Sequence, residues 1–317
     1  MGVTRQNARA GRGRTAAAGT AAALLLAALA GCTSGAGAQH VAGSAPADSG
    51  AASGAASAPA TAPSPSGGAV VTAVPTPSPW TQERLQKALS DHGGNTRTAK
   101  SNVVTARVGA IFSQSGKGDH FCTGSVVQSK GQSIVLTAAH CVDGGRNGGP
   151  NTDIVFVPGY RNGSEPQGQW PVRSIVVDQR WEDSSDPDLD VAFLVLGTVQ
   201  NKPIASVLGG NKLGVNLGFG RTVALTGYPS NAGEPIACFN TTTQQSTYQM
   251  KIECKSFPGG TSGSPWLTSF DKQTRTGTVM GVIGGYQEGG DTEDVSYSPY
   301  FDNDVLALYN RAVAEGG

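Results

Sequence analysis

The sequence carries no excess of charge: 23 Lys and Arg face 23 Asp and Glu among 317 residues. Without a basic surplus there is no electrostatic case for nucleic acid or an anionic lipid surface as a partner. The longest apolar run, Ala16 to Ala30, is too short and too rich in alanine for a permanent membrane span. Thr33 to Pro79 has no aromatic residue and a single charged one, Asp48, so it cannot bury enough apolar surface to offset the entropy of ordering it. Histidine is scarce, with four residues at 40, 92, 120 and 140. Alternate aspartates at 186, 188 and 190 suggest a calcium loop, but its sixth position is Val191 where glycine is needed and its twelfth is Gly197 where glutamate is needed. No metal or other cofactor is called for.

The first 31 residues hold Arg5, Arg9, Arg12 and Arg14 with no acid, followed by the Ala/Leu run, the pattern of an export signal. Leu29, Ala30, Gly31 and Cys32 close it and resemble the lipobox of bacterial lipoproteins, which implies acylation at Cys32 and an extracytoplasmic protein anchored to the cell membrane. Five cysteines leave one unpaired, and Cys32 lies in a different compositional region from Cys122, Cys141, Cys238 and Cys254, which can form two disulfides. Two acyl chains suffice for stable anchoring where one is marginal. Once the signal is removed, 19 basic residues face 23 acidic ones, a formal charge of −4. Residues 32–79 are then expected to be an unstructured tether. In residues 80–99, Thr81 is a plausible N-cap, Trp80 and Leu85 stand at hydrophobic-staple spacing, and Gly93 and Gly94 stop the short helix. This stretch reads most simply as a plain extension, with a pro-segment or a clasp on the following domain as alternatives.

From residue 100 to 317 short apolar runs alternate with Gly, Asn, Asp and Pro clusters. Runs at 106–113, 121–128, 133–137, 153–157, 172–177, 191–196, 223–227 and 278–283 predict strands. One helix is expected at the end, capped by Asp302, with Val305, Leu308, Tyr309 and Ala312 on one face. Many strands without intervening helices indicate an all-β antiparallel sandwich or barrel with a C-terminal α-helix, long enough to bury a sizeable core.

Three points in this region carry chemistry. His140 follows a short apolar strand in the small-residue turn TAAHC, where an imidazole is presented at a pKa suited to a general base. Cys141 can pair back to Cys122 and fix that turn, a loop closure worth roughly 3 kcal/mol. Asp190 abuts the apolar run Val191 to Leu196, so its carboxylate is drawn inside and needs a partner such as an imidazole N–H, while Asp186 and Asp188 read as turn residues around Pro187. The stretch FPGGTSGSPWL, Phe257 to Leu267, surrounds Ser262 with glycines that let the backbone aim amides and a hydroxyl at one point. A serine hydroxyl needs a base and the base an orienting group, which assigns Ser262 as nucleophile, His140 as base and Asp190 as orienter. The amides of Gly260 and Ser262 would form the oxyanion hole. Ser264 is the rival serine without motif support, and it occupies the place where a GxSxG elbow demands glycine.

TAAHC at Thr137 to Cys141, DVAFLVL at Asp190 to Leu196 and GGTSGSP at Gly259 to Pro265, in that order, resemble the chymotrypsin/trypsin-like serine peptidases from about Arg107 to the C-terminal helix. The resemblance implies two six-stranded antiparallel β-barrels, polypeptide substrates bound between them, a monomeric catalytic domain and endopeptidase activity. It also implies that Cys238 and Cys254 pair across a hairpin of the second barrel. Ser256 and Phe257 would lie near the primary pocket, and the strand Thr278 to Gly284, followed by Gly285 and Tyr286, would be the edge that binds an extended peptide. Thr261 stands where animal digestive members have aspartate, which speaks against activation by insertion of a new N-terminus. Ser264 resembles the bacterial glutamyl-endopeptidase branch, yet no histidine lies in the second barrel to bind a glutamate side chain. A non-catalytic peptide-binding lipoprotein on the same scaffold is the alternative reading.

Overall fold

The computed structural model describes residues 68–76, 78–82, 84–85 and 98–316. The export signal, Cys32, the tether up to residue 67 and the glycines expected to stop the first helix lie outside the described residues. No helix among the described residues is long and apolar enough to cross a membrane.

The first half of the domain is a closed barrel. Its strands are β2 (Val108–Ser115), β3 (Gly118–Val127), β4 (Ile134–Thr137), β5 (Thr152–Pro158), β6 (Trp170–Asp178) and β7 (Ala192–Leu196), preceded in the chain by β1 (Ala69–Ala73). Going round, the order is β6-β5-β2-β3-β4-β7, and β7 returns to β6. Every pairing is antiparallel. Strand β7 shows why its sequence is a continuous apolar run and not an alternating one. Ala192, Leu194 and Leu196 face the barrel interior with Ile111, Val126 and Val135. Phe193 and Val195 face outward, under the C-terminal helix and the second half, where Leu267, Val279, Val282, Val305 and Leu308 cover them. A strand buried on both faces has no solvent side to mark with polar residues.

Strand β1 is a finding that composition did not foretell. Thr33 to Pro79 was expected to lack structure, but Ala69–Ala73 pairs with Asp178 back to Ser174 of β6. Ser174, Ile175 and Val176 among them also bond β7 on the other edge, while β5 reaches only Trp170 and Pro171. Strand β1 thus takes up backbone groups that β5 leaves free, and the three β-branched residues of AVVTA are enough for an edge strand.

The second half contains β8 (Lys212–Leu213), β9 (Thr222–Gly227), β10 (Ile236–Thr241), β11 (Thr243–Gln244), β12 (Gln249–Glu253), β13 (Pro265–Asp271), β14 (Thr276–Val282) and β15 (Val295–Pro299). They form a five-stranded sheet, β10-β9-β13-β14-β8, and a three-stranded sheet, β11-β12-β15. Between them lie Val223, Leu225, Met250, Ile252, Trp266 and Met280, the core of the second barrel. All of its pairings are antiparallel except β8 with β14. The C-terminal helix Asn303–Ala314 begins as its sequence predicts: Asp302 accepts hydrogen bonds from Asp304 N–H and Val305 N–H. Val305, Leu308 and Ala312 are buried beneath it. Both disulfides are present, Cys122–Cys141 and Cys238–Cys254, each spanning 5.9 Å between Cα atoms.

Candidate active site

His140 sits in a 3-10 turn, Ala139–Cys141, immediately beyond β4. The Cys122–Cys141 bond ties this turn to β3. Asp190 ends a second 3-10 turn, Pro187–Leu189, just ahead of β7. Strands β4 and β7 are neighbours, pairing Thr137 with Ala192, so the residues beyond their paired ends meet. Asp190 is wholly buried. Its Oδ2 accepts from His140 Nδ1 at 2.7 Å and its Oδ1 from His140 N–H at 2.9 Å. A third donor, Gly285 N–H, reaches Oδ2 at 2.8 Å. A buried carboxylate with three donors is satisfied as an anion. Burial by itself lowers the His140 pKa, but the charge and hydrogen bond of Asp190, with a further contribution from Glu288, outweigh it and leave the imidazole above its ordinary value.

The turn carrying Ser262 joins the loop after β12 to β13. Its glycines are steric requirements at two places. Gly263 has φ +81°, and a Cβ there would lie 2.0 Å from Thr123 O and 3.2 Å from Ala138 N. Gly260 has φ +89°, and a Cβ there would lie 2.5 Å from Phe121 Cε1. The first contact seats the turn against the residues that lead into His140. Thr123 completes the seat: its N–H donates to Ser262 O at 2.8 Å, its Oγ1 donates to Gly260 O at 3.0 Å, and its Oγ1 accepts from Tyr228 N–H at 2.8 Å. Thr137 Oγ1 in turn donates to Thr123 O at 2.8 Å. Among the described residues, the N–H groups of Gly260 and Ser262 and the Ser262 hydroxyl have no hydrogen-bond partner. Ser264 differs: its hydroxyl is buried and donates to Thr261 O at 2.6 Å, which bolts the turn internally.

The other expected site residues separate into distinct places. Phe257 lines a pocket of about 140 Å³ with Ser262, Thr261, Ile283 and Glu288, and its edge also carries Asp291 and Glu293. Ser256 lines a second groove with Lys255 and Ala237, which Phe257 also borders and Ser262 does not reach. Gly284 stands behind the site, where a Cβ would lie 3.0 Å from Asp190 Oδ2. Gly285 serves Asp190, and Tyr286 is half-exposed against Tyr297, ring centroids 5.0 Å apart. The chain expected to run on as a peptide-binding edge instead turns at Tyr286–Gly289, with Gln287 and Glu288 at φ 53° and 51°. The turn brings Glu288 to the boundary between the Ser262 pocket and a cleft of about 440 Å³ lined by His140, His120, Trp181 and Arg146.

Sequence reasoning passed over two residues. Thr123 is one. Gln249 is the other: its Nε2 donates to Pro187 O at 2.9 Å and Asp188 Oδ1 at 2.7 Å, and its Oε1 accepts from Tyr286 N–H at 3.1 Å. It links the Asp190 turn to the Glu288 turn. Neither residue belongs to a motif, and only the fold brings their partners together. Asp186 accepts from Asp188 N–H at 3.0 Å, the turn role its sequence position suggests. Cys122, His140 and Cys141 bring three ligand-type atoms together, but both sulfurs are committed to the disulfide and leave nothing to hold a metal.

A closed antiparallel barrel joined to a second β-barrel, with a paired His and buried Asp beside a glycine-flanked serine, defines the class of the trypsin-like proteins. The family described as trypsin-like peptidase domain matches residues 122–282, half of the chain, and the chain belongs to it. Among solved structures it is similar to the protease Anisep from Arthrobacter nicotinovorans, with 29% identity, a TM-score of 0.60, and coverage of 68% of this chain and 98% of that one. It is similar also to the thermostable serine protease AL20 from an extremophilic microorganism, with 28% identity, a TM-score of 0.61, and coverage of 67% and 99%. A Glu endopeptidase shares the fold at 17% identity and a TM-score of 0.54, covering 70% of this chain and 98% of its own. No curated protein matches the chain.

Proposed function

We propose that the protein is a serine endopeptidase that hydrolyses peptide bonds through an acyl-enzyme on Ser262. The observation that carries this reading is the pairing of His140 Nδ1 with the buried Asp190 carboxylate, in a cleft that meets the Ser262 pocket at Glu288, while among the described residues the Ser262 hydroxyl and the N–H groups of Gly260 and Ser262 stay unengaged. In the reaction, Ser262 Oγ attacks the carbonyl carbon as its proton passes to His140 Nε2. The oxyanion is received by the N–H groups of Gly260 and Ser262. The imidazolium, stabilised by Asp190, returns the proton to the departing amine nitrogen, and a water activated by the same imidazole releases the acid. No cofactor enters. The likeness to two proteases at 28% and 29% identity supports the same reading.

The pocket beside Ser262 bears Glu288, Asp291 and Glu293 and no Lys, Arg or His. That lining repels a glutamate side chain before the scissile bond and favours a neutral or basic one. The lipobox ending in Cys32 and the two disulfides support an exported enzyme held on the outer face of the membrane by a lipid anchor, its catalytic domain acting as a monomer. Labelling with an active-site-directed fluorophosphonate tests the activity: the folded wild type should react and Ser262→Ala should not. A folded wild type that resists the label would instead be a non-catalytic peptide-binding protein.

A further inference from the structure

The stretch around Trp80 is not a plain extension. Trp80 and Leu85 are buried, at 4% and 0% exposure. Thr81 caps the short turn between them, its Oγ1 accepting from Arg84 N–H at 3.2 Å and its carbonyl from Leu85 N–H at 3.0 Å. Trp80 Nε1 donates to Asp153 O at 2.7 Å, and Gln169 Nε2 donates to Trp80 O at 2.7 Å. The Arg84 guanidinium lies 3.7 Å from the Trp80 ring centroid and bridges Asp119 and Asp153, each at 3.2 Å. Indole, guanidinium and two carboxylates thus lock the segment onto strands β3 and β5.

The apolar cluster that receives it also backs the Ser262 turn. Trp80 and Leu85 share that cluster with Phe112, Phe121, Tyr160 and Tyr228. Ring centroids step from Trp80 to Phe112 at 5.4 Å and from Phe112 to Phe121 at 5.5 Å. Phe121 then lies directly against Gly260, where a Cβ would meet its ring at 2.5 Å. Tyr228 packs edge-on to Phe121 at 6.4 Å, and its N–H holds the Thr123 hydroxyl that fixes Gly260 O. Close-packed side chains transmit a displacement because no void absorbs it.

We propose that Trp80 and Leu85 are positioning residues of the active site, holding Gly260 in its oxyanion-binding conformation through Phe112 and Phe121. The inference rests on the peptidase reading above. Loss of the indole lets Phe112 and Phe121 relax into the space it leaves, and the turn loses its backing. Because Gly260 N–H is asked to meet charge that exists only in the transition state, the loss falls on kcat and leaves KM nearly alone.

The test uses the full chain and three variants, Trp80→Ala, Trp80→Phe and the milder Leu85→Val. Hydrolysis of a peptide substrate is measured beside the inhibition constant of a peptidyl boronate, whose tetrahedral adduct makes the same demand on Gly260 N–H. Trp80→Ala should lower kcat by about ten- to a hundredfold with KM within about twofold, and weaken the boronate in parallel. Trp80→Phe should restore most of both. If Trp80→Ala does not fold, Leu85→Val should show the same pattern more weakly, by about threefold. Unchanged kcat and boronate affinity in a variant that only melts earlier would overturn the proposal and leave the segment a stability clasp. A folded wild type that neither hydrolyses peptide nor takes the fluorophosphonate would overturn the peptidase reading itself, and with it this one.

Discussion

Asp190 holds His140 at two points: one carboxylate oxygen takes the ring Nδ1–H at 2.7 Å and the other takes the backbone N–H of the same residue at 2.9 Å. Ring and main chain are therefore referred to one buried group. The acceptor-only carboxylate fixes the proton on Nδ1 and leaves Nε2 free to accept.

The pH dependence follows from this pair. Asp190 and Glu288 hold the imidazole above its ordinary value of 6.5 against the opposing pull of burial. The base must be neutral, so kcat/KM should fall as pH drops through this raised value, with a midpoint above 6.5. The stability contribution has the opposite sense: it is fully present below the unfolded value of 6.5 and is lost as pH rises through the folded one. Glu288→Gln should move the acid limb to lower pH with little loss of plateau rate. Asp190→Asn should cost on the order of a thousandfold or more in kcat, because the tautomer is no longer set. A pH-rate profile of the three proteins checks the rate predictions, and an acid limb that stays put in Glu288→Gln would show that Glu288 does not set the imidazole's titration.

Thr123 donates to Gly260 O and accepts from Tyr228 N–H through one buried hydroxyl. Thr123→Val keeps the shape and removes both bonds, which leaves buried polar groups unpaired at a cost of about 1–3 kcal/mol. Urea denaturation should show that loss, and steady-state kinetics should show kcat reduced about tenfold with KM little changed. A rate within twofold of wild type would show that the backbone contact to Ser262 O suffices.

These two groups mark the limit of what could be read from the chain. His140, Asp190 and Ser262 stand in short strings whose neighbours supply their local setting: a strand end, a buried strand and a glycine turn. The C-terminal helix announces itself through Asp302 and a 3.6-residue stripe. Thr123 and Gln249 have no such local signature, because their partners lie 105 and 137 residues away in one case and 61 and 62 in the other. Strand β1 was hidden for a related reason. Its strand character comes from an edge of β6 and not from its own Ala-rich surroundings. The Tyr286–Gly289 turn went unforeseen because Gln287 and Glu288 adopt positive φ, which non-glycine residues rarely do.

The acidic lining beside Ser262 predicts substrate preference. In a peptide library, cleavage after Lys, Arg or small neutral residues should exceed cleavage after Glu, and the excess for Lys and Arg should shrink as salt is raised. A clear preference for glutamate would contradict the electrostatic reading of Glu288, Asp291 and Glu293.

Anchoring has its own test. Cys32→Ala should move the protein from the membrane fraction to the soluble extracytoplasmic fraction without changing the specific activity of the folded domain. Retention of the variant in the membrane would count against acylation at Cys32.

Ser262 and Ser264 stand two residues apart on one turn, one hydroxyl without a partner among the described residues and the other bound to Thr261 O at 2.6 Å. Stoichiometric fluorophosphonate labelling, with the modified residue located by peptide mass, separates them directly. The wild type and Ser264→Ala should both be labelled, at Ser262, while a folded Ser262→Ala should take no label; modification at Ser264, or none at all in the wild type, would contradict the assignment on which the proposed chemistry rests.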